Sequence, residues 1–218
     1  SFSYTPNAGF TGADEFTYRP IDAVGAGDVV AVTIWVGNSV FASDASALTG
    51  QGQPVTGRVS FGDEAGYTLT PTVAPPAHGT ATLDASGDWT YAPVAGFTGT
   101  DTFAYTVTDG HGNSVSGTVA VDVVAPVAAS ATAATRPTAA VTVPVSFFDP
   151  ADNSLTITFT QGAHGAVAFD GVDAFTYTPN SATFTGTDTF TYTVDNGYGG
   201  TAMAAVTIRI VTAPTGGG

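Results

Sequence analysis

Oxygen donors carry most of the chemistry this sequence could do. Sixteen Asp and two Glu stand against four Arg and no Lys, for a formal net charge of −14. There is no Cys, which removes disulfides, thiolate metal sites and cysteine nucleophiles. The acids gather where turns are expected: Asp149-Pro150-Ala151-Asp152-Asn153, Asp63-Glu64, Asp109-Gly110-His111-Gly112-Asn113, and the recurring Asp101 and Asp188. A hard cation such as Ca²⁺ takes roughly six to eight oxygens from carboxylates and loop carbonyls. Asp149, Asp152, Asn153, Asp101, Asp188, Asp109, Asp63 and Glu64 are therefore candidate metal ligands. Asp and Asn also cap turns by bonding their own backbone, so each position carries that second reading.

Other chemistries find less support. His78 and His164 hold equivalent places in successive repeats, and His111 sits in a Gly-rich hairpin. Zinc needs three or four converging ligands, so these histidines are expected in structural turn roles. No Ser stands in a G-x-S-x-G elbow. The pairs Asp84/Asp88 and Asp170/Asp173 flank hairpin tips, whereas a glycosidase needs two carboxyls facing each other across a cleft. No catalytic residue is assigned. Tyr198, a loop aromatic, could stack on a sugar face.

The elements that position these residues repeat. Asp14, Asp101 and Asp188 are spaced 87 residues apart, each inside a similar string, and Ala77-His78-Gly79 recurs as Ala163-His164-Gly165. This divides the chain into residues 1–36, the last part of a repeat, residues 37–124 and 125–212, two complete repeats, and a tail at 213–218. Within each repeat the apolar period is two, as in Phe103-Ala104-Tyr105-Thr106-Val107 and Phe190-Thr191-Tyr192-Thr193-Val194. Such alternation sets one face on a core and the other in water. The middle repeat reads as seven strands, near 40–42, 54–60, 67–73, 79–83, 89–92, 101–108 and 114–124. Seven short strands with regular turn signals predict a Greek-key β-sandwich of immunoglobulin type. The fold class is all-β, with tandem Ig-like, cadherin-like sandwiches in a linear array. Val127–Ala140 reads as an edge strand plus linker. Phe97 is expected to plug the sandwich end while Asp101 accepts from loop amides. Asp109–Asn113, Asn196–Gly199 and Asp22–Gly25 are expected as the last hairpin of each unit. Pro20 cannot donate a ladder bond, so its strand should be bulged or at an edge.

The stretch FTGTDTFAYTVTDGHGN, with the preceding AHGT and DWTYAP, resembles the cadherin-like Ig repeats of large bacterial surface adhesins. Similar repeats are called tandem-95 or VCBS-like and often sit in calcium-loaded RTX adhesins. The resemblance implies an extracellular or cell-surface array with Ca²⁺ at loops and domain junctions. The family more often shows a denser run of Asp, of the DxDGD kind, than stands at Asp149–Asn153 or Asp63-Glu64.

Composition narrows the partners. Charged residues are 10% of the chain against roughly 25% in ordinary domains, and nearly all are acidic. Such a surface repels phosphate backbones and anionic lipid, excluding nucleic acid and polybasic membrane binding. No apolar run reaches the roughly 18 residues of a membrane span, and any targeting segment is expected outside the sequence. Residues 1–36 are expected as three strands, Phe2–Thr5, Glu15–Ile21 and Asp28–Val36, with an open apolar face. The missing half should come from neighbouring repeats upstream, the favoured source, or from an adjacent subunit. The functional expectation is a calcium-stiffened extender segment of a secreted adhesin or filament. The alternatives are a calcium-dependent module binding surface glycan and an accessory region of a secreted enzyme.

Overall fold

A computed structural model describes residues 2–7, 10–21, 25–37, 40–63 and 66–212, without the Trp35 side chain. Every element among them is a strand. The first unit contributes β1 (Gly12–Tyr18) and β2 (Val30–Val36). The middle unit holds β3 (Val40–Ala42), β4 (Ala45–Gly50), β5 (Val55–Arg58), β6 (Phe61–Asp63), β7 (Thr70–Val73), β8 (Gly79–Leu83), β9 (Asp88–Pro93), β10 (Gly99–Thr108) and β11 (Ser114–Val124). The last unit holds β12 (Val127–Ala128), β13 (Ala131–Thr135), β14 (Val141–Pro144), β15 (Phe147–Phe148), β16 (Thr156–Phe159), β17 (Gly165–Phe169), β18 (Ala174–Pro179), β19 (Gly186–Asp195) and β20 (Thr201–Ile210). Among the described residues no helix is long and apolar enough to cross a membrane.

The two large units share one topology. A four-stranded sheet β4-β11-β10-β7 faces a three-stranded sheet β5-β9-β8 with the short pair β3-β6, and β13-β20-β19-β16, β14-β18-β17 and β12-β15 repeat the arrangement. The alternation of apolar residues sets the burial. Phe103, Tyr105 and Val107 on β10 and Val119, Val121 and Val123 on β11 are at most 2% exposed, and Phe190, Tyr192, Val194, Val206, Ile208 and Ile210 match them. Fully burying one such side chain contributes about 1.5–3 kcal/mol. Trp89 and Tyr91 on β9, and Phe175 and Tyr177 on β18, close each core from the facing sheet.

β4 and β6 are not among the expected strands, and β13 answers to the expected edge strand. β4 lies parallel to β11, and β13 lies parallel to β20. The stretch Val127–Ala140 holds the expected edge strand, β13, with a second short strand, β12, ahead of it. It pairs first with β15, crosses over, and continues as a sheet edge through Thr135. Buried tyrosines hold the crossovers: the Tyr105 hydroxyl donates to Ser43 O at 2.6 Å, and that of Tyr192 to Ala129 O at 2.7 Å.

The first unit departs from its expected three strands. Phe2–Thr5 forms none, and the described strands end at Tyr18 and begin again at Val30, with one isolated bridge between Ile21 and Ala26. The reason lies in the other units, where the equivalent strand β9 bonds to β5 and β8 on either side. Residues 2–36 offer neither partner. Past Tyr18 the chain turns at Pro20, whose carbonyl accepts from Gly27 N at 2.9 Å. The expected hairpin tip at Asp22–Val24 and the tail at 213–218 lie outside the described residues.

Candidate functional site

Asp101 and Asp188 form the same latch in both complete units. Each is 4% exposed. Asp101 Oδ2 accepts from His78 N at 2.8 Å and from the Tyr91 hydroxyl at 2.9 Å, while Oδ1 accepts from Ala77 N at 3.3 Å and Thr102 N at 2.9 Å. Asp188 accepts from His164 N, Tyr177 Oη, Ala163 N and Thr189 N at 2.7–3.0 Å. A carboxylate offers about four lone-pair sites, and protein donors meet all four. Burial alone would lift both carboxyls, but these bonds outweigh it and hold them below the usual carboxylate range. Burial, then the facing carboxylate, pushes the Tyr91 and Tyr177 hydroxyls up.

The latch closes the sandwich end through an aromatic stack. His78 lies on Phe97 with ring centroids 4.3 Å apart, and His164 on Phe184 at 3.6 Å. Asp14 in the first unit shows half of the latch. It accepts from Tyr4 Oη at 2.8 Å and Glu15 N at 2.9 Å, the counterparts of Tyr91 and Thr102. The two loop amides that complete Asp101 and Asp188 have no counterpart on Asp14 among the described residues.

The remaining candidates sit at the opposite end of each unit. In the middle unit Asp109, 3% exposed, accepts at Oδ1 from His111 N at 2.7 Å and Asn113 N at 3.1 Å, and at Oδ2 from Asn113 Nδ2 at 2.6 Å. Burial would raise its carboxyl; the Asn113 and His111 donors outweigh that and lower it. His111 stacks on Tyr67 at 4.0 Å. Asp63 ends β6, its carbonyl accepting from Gly66 N at 3.0 Å; Glu64 lies outside the described residues. In the last unit Asp149, 7% exposed, accepts from Ala151 N at 2.8 Å and Asn153 Nδ2 at 3.1 Å. Asp152 is exposed, in the left-handed region at φ 63°, and its N–H closes the turn onto Asp149 O.

This end of the last unit meets the middle unit. Asn196, 3% exposed, accepts at Oδ1 from Tyr198 N and Gly200 N, both at 2.9 Å, and donates from Nδ2 to Gln51 O at 3.2 Å. Gly50 abuts the side-chain amides of both Asn153 and Asn196. The Asp149–Asn153 turn thus lies at a junction of two units, beside a hairpin whose cross-unit contact the sequence reading did not assign. The visible signal was the exchange of Asp109 for Asn196 between repeats.

Among the described residues, no three His, Asp or Glu side chains converge as a metal cluster. Asp149, Asp152 and Asn153 offer two carboxylates and an amide oxygen, all hard donors, which suits Ca²⁺ over zinc. The rest of a calcium shell would have to come from carbonyls and water.

Residues 38–122 and 124–209 each match the profile of the family described as bacterial Ig domain. Similar solved structures include the endo-fucoidan hydrolase MfFcnA4 of glycoside hydrolase family 107, at 16% identity and TM-score 0.34, covering 96% of this chain and 35% of that one. Drosophila N-cadherin EC1-4 is similar at 12% identity and TM-score 0.38, with 86% and 53% covered. The human desmocollin-1 ectodomain is similar at 11% and 0.38, with 91% and 48% covered. The chain spans about a third of the length of the hydrolase it matches. No curated protein matches it.

Proposed function

The chain belongs to the bacterial Ig domain family, and from that premise we propose that it is an extender segment of an extracellular bacterial surface adhesin or filament. Its Ig units, stacked end to end, hold a binding tip away from the cell and carry no catalytic site of their own. The observation that carries this reading is the repetition of the whole internal design. Strand order, the Asp–Tyr latch and the His–Phe stack recur unit by unit. A module built for recognition diversifies such end closures, whereas a spacer repeats them.

Calcium enters the proposal as a stiffener held by Asp149, Asp152 and Asn153, with loop carbonyls, at the junction they border. Asp101, Asp188 and Asp109 accept so many protein donors that they serve as struts in this reading. The exposed face of β1–β2 belongs to it too. Phe2 and Tyr18 are 63% and 48% exposed, where Trp89 and Tyr105 are 2% and 1%. Further Ig strands, from a neighbouring repeat or an adjacent subunit, would cover that face.

The test is the melting temperature of the chain in EGTA, in Ca²⁺ and in Na⁺ at matched ionic strength. Extracellular calcium modules bind at roughly 10⁻⁴–10⁻³ M, and a ligand at 100 times its dissociation constant adds about 2.7 kcal/mol. A rise in Ca²⁺ beyond that in matched Na⁺ is expected. The same melting point in all three removes calcium from the proposal. A glycan array on the isolated chain separates the spacer from a sugar-binding module: the spacer gives no selective signal.

A further inference from the structure

The last hairpins of the two complete units differ in a paired way. In the middle unit the hairpin satisfies itself: Asn113 Nδ2 donates to Asp109 Oδ2, and no amide at that position faces outward. In the last unit Asn196 replaces Asp109 and Gly200 replaces Asn113. Asn196 keeps its oxygen for the hairpin, on Tyr198 N and Gly200 N, and its new amide donates to the Gln51 carbonyl of the preceding unit. Gly200 is what lets Gln51 approach. A Cβ there would stand 2.7 Å from Asn196 Nδ2 and 3.0 Å from the Gln51 Cβ. The amide supplies the donor, and the missing Cβ leaves the room it uses.

The loop on the other side is equally specific. Thr49 Oγ1 donates to Gln53 O at 2.8 Å, Gln53 N to Gly50 O at 3.0 Å, and Gln51 N to Val124 O at 2.7 Å. Together these bonds present the Gln51 carbonyl at the end of β11. Gly52 stands at φ 76° with its missing side chain against the Tyr198 carbonyl, and Gly50 stands against the Asn153 amide. The corresponding loop at the far end of the last unit is marked by the same bond, Thr135 Oγ1 to Ala139 O at 2.6 Å. There the sequence reads Arg136-Pro137-Thr138. Pro137 lacks the N–H that ties Gln51 to Val124, and Thr138 is not at positive φ.

We propose that the Asn196–Gly200 hairpin is a docking surface for a Gly-X-Gly loop of the preceding repeat, locking this one junction by direct contact that holds before any calcium binds. The partner is specified by its small residues and one presented carbonyl. The Asp109–Asn113 hairpin and the Arg136–Thr138 loop lack these features, so two residues per hairpin and two per loop decide whether a junction can carry the lock. This goes beyond the calcium reading and deepens the extender reading on which it rests.

The absence of native Cys allows clean spin labelling at Ala85→Cys and Val172→Cys, exposed positions near the hairpin tips of successive units. Double electron–electron resonance on the full chain should give one narrow distance distribution already in EGTA, which Ca²⁺ leaves as narrow or narrows further. Asn196→Asp combined with Gly200→Asn copies the middle unit's self-satisfied hairpin. It should broaden the distribution while the unfolding transition of the last unit stays in place. Gly52→Ala should broaden it from the opposite side of the joint. A distribution that stays narrow in both variants overturns the proposal. So does a parent chain that is broad in EGTA and narrows only with Ca²⁺; that result would leave the calcium-stiffened extender intact and refute the direct lock alone.

Discussion

Asp101 and Asp188 lie almost wholly out of water yet remain ionised, because four donors replace the solvent each has lost. Removing one partner from such a site leaves a polar group unmet, which costs about 1–3 kcal/mol. Tyr177→Phe and Asp188→Asn are each expected to lower the stability of the last unit by about that much in urea unfolding, and Tyr91→Phe and Asp101→Asn likewise for the middle unit. The pH dependence follows from the direction of the shifts. Asp101, Asp109 and Asp188 titrate lower folded than unfolded. Their contribution is therefore complete above the unfolded Asp value of about 3.9 and is lost as pH falls through their lower folded values. Melting temperatures between pH 2 and 7 should hold level above about pH 5 and drop below about pH 4, less steeply in Asp188→Asn. At this scale the sequence was informative about place and thin about role. The 87-residue spacing marked Asp101 and Asp188 as equivalent, and the corner position suggested loop amides as donors. It did not reveal that Tyr91 and Tyr177, read only as strand residues, complete the latch from the facing sheet, because that contact depends on tertiary packing.

Among the elements, what could be read from the sequence was what alternates with large residues. β10, β11, β19 and β20 carry Phe, Tyr, Val and Ile on one face, and the structure buries that face. β4 escaped because Ala45-Ser46-Ala47-Leu48-Thr49-Gly50 carries little apolar contrast, and Ala131–Thr135, expected only as an edge strand, carries no more; both are strands because β11 and β20 offer them edges. The opposite error occurred at Phe2–Thr5, a good strand by composition that lacks both sheet neighbours. A two-stranded sheet is marginal in water on its own. Amide hydrogens of β1 and β2 are therefore expected to exchange much faster than those of β10 and β19 in the monomeric 218-residue chain. Slow exchange throughout β1 and β2 in a verified monomer would mean that the first unit needs no covering strands.

For the whole molecule, the two complete units meet through a buried amide and three closely approached glycines, and the four Arg residues are poorly placed for cleavage. Arg19 and Arg136 precede Pro, while Arg58 ends β5, paired with Asp88 on β9, and Arg209 lies within β20. Trypsin under native conditions is expected to leave residues 37–212 intact for as long as they stay folded; early release of many small peptides would speak against tight packing. An extender of this kind is an elongated, stiff spacer, and small-angle X-ray scattering of the 218-residue monomer measures that shape. A compact chain of this length has a radius of gyration of about 17 Å. The extender account expects a value well above that, with a cross-section no wider than one sandwich and a single rod-like distance distribution. A radius near 17 Å, or a profile of units swinging freely about the junction at Gln51 and Asn196, would contradict it.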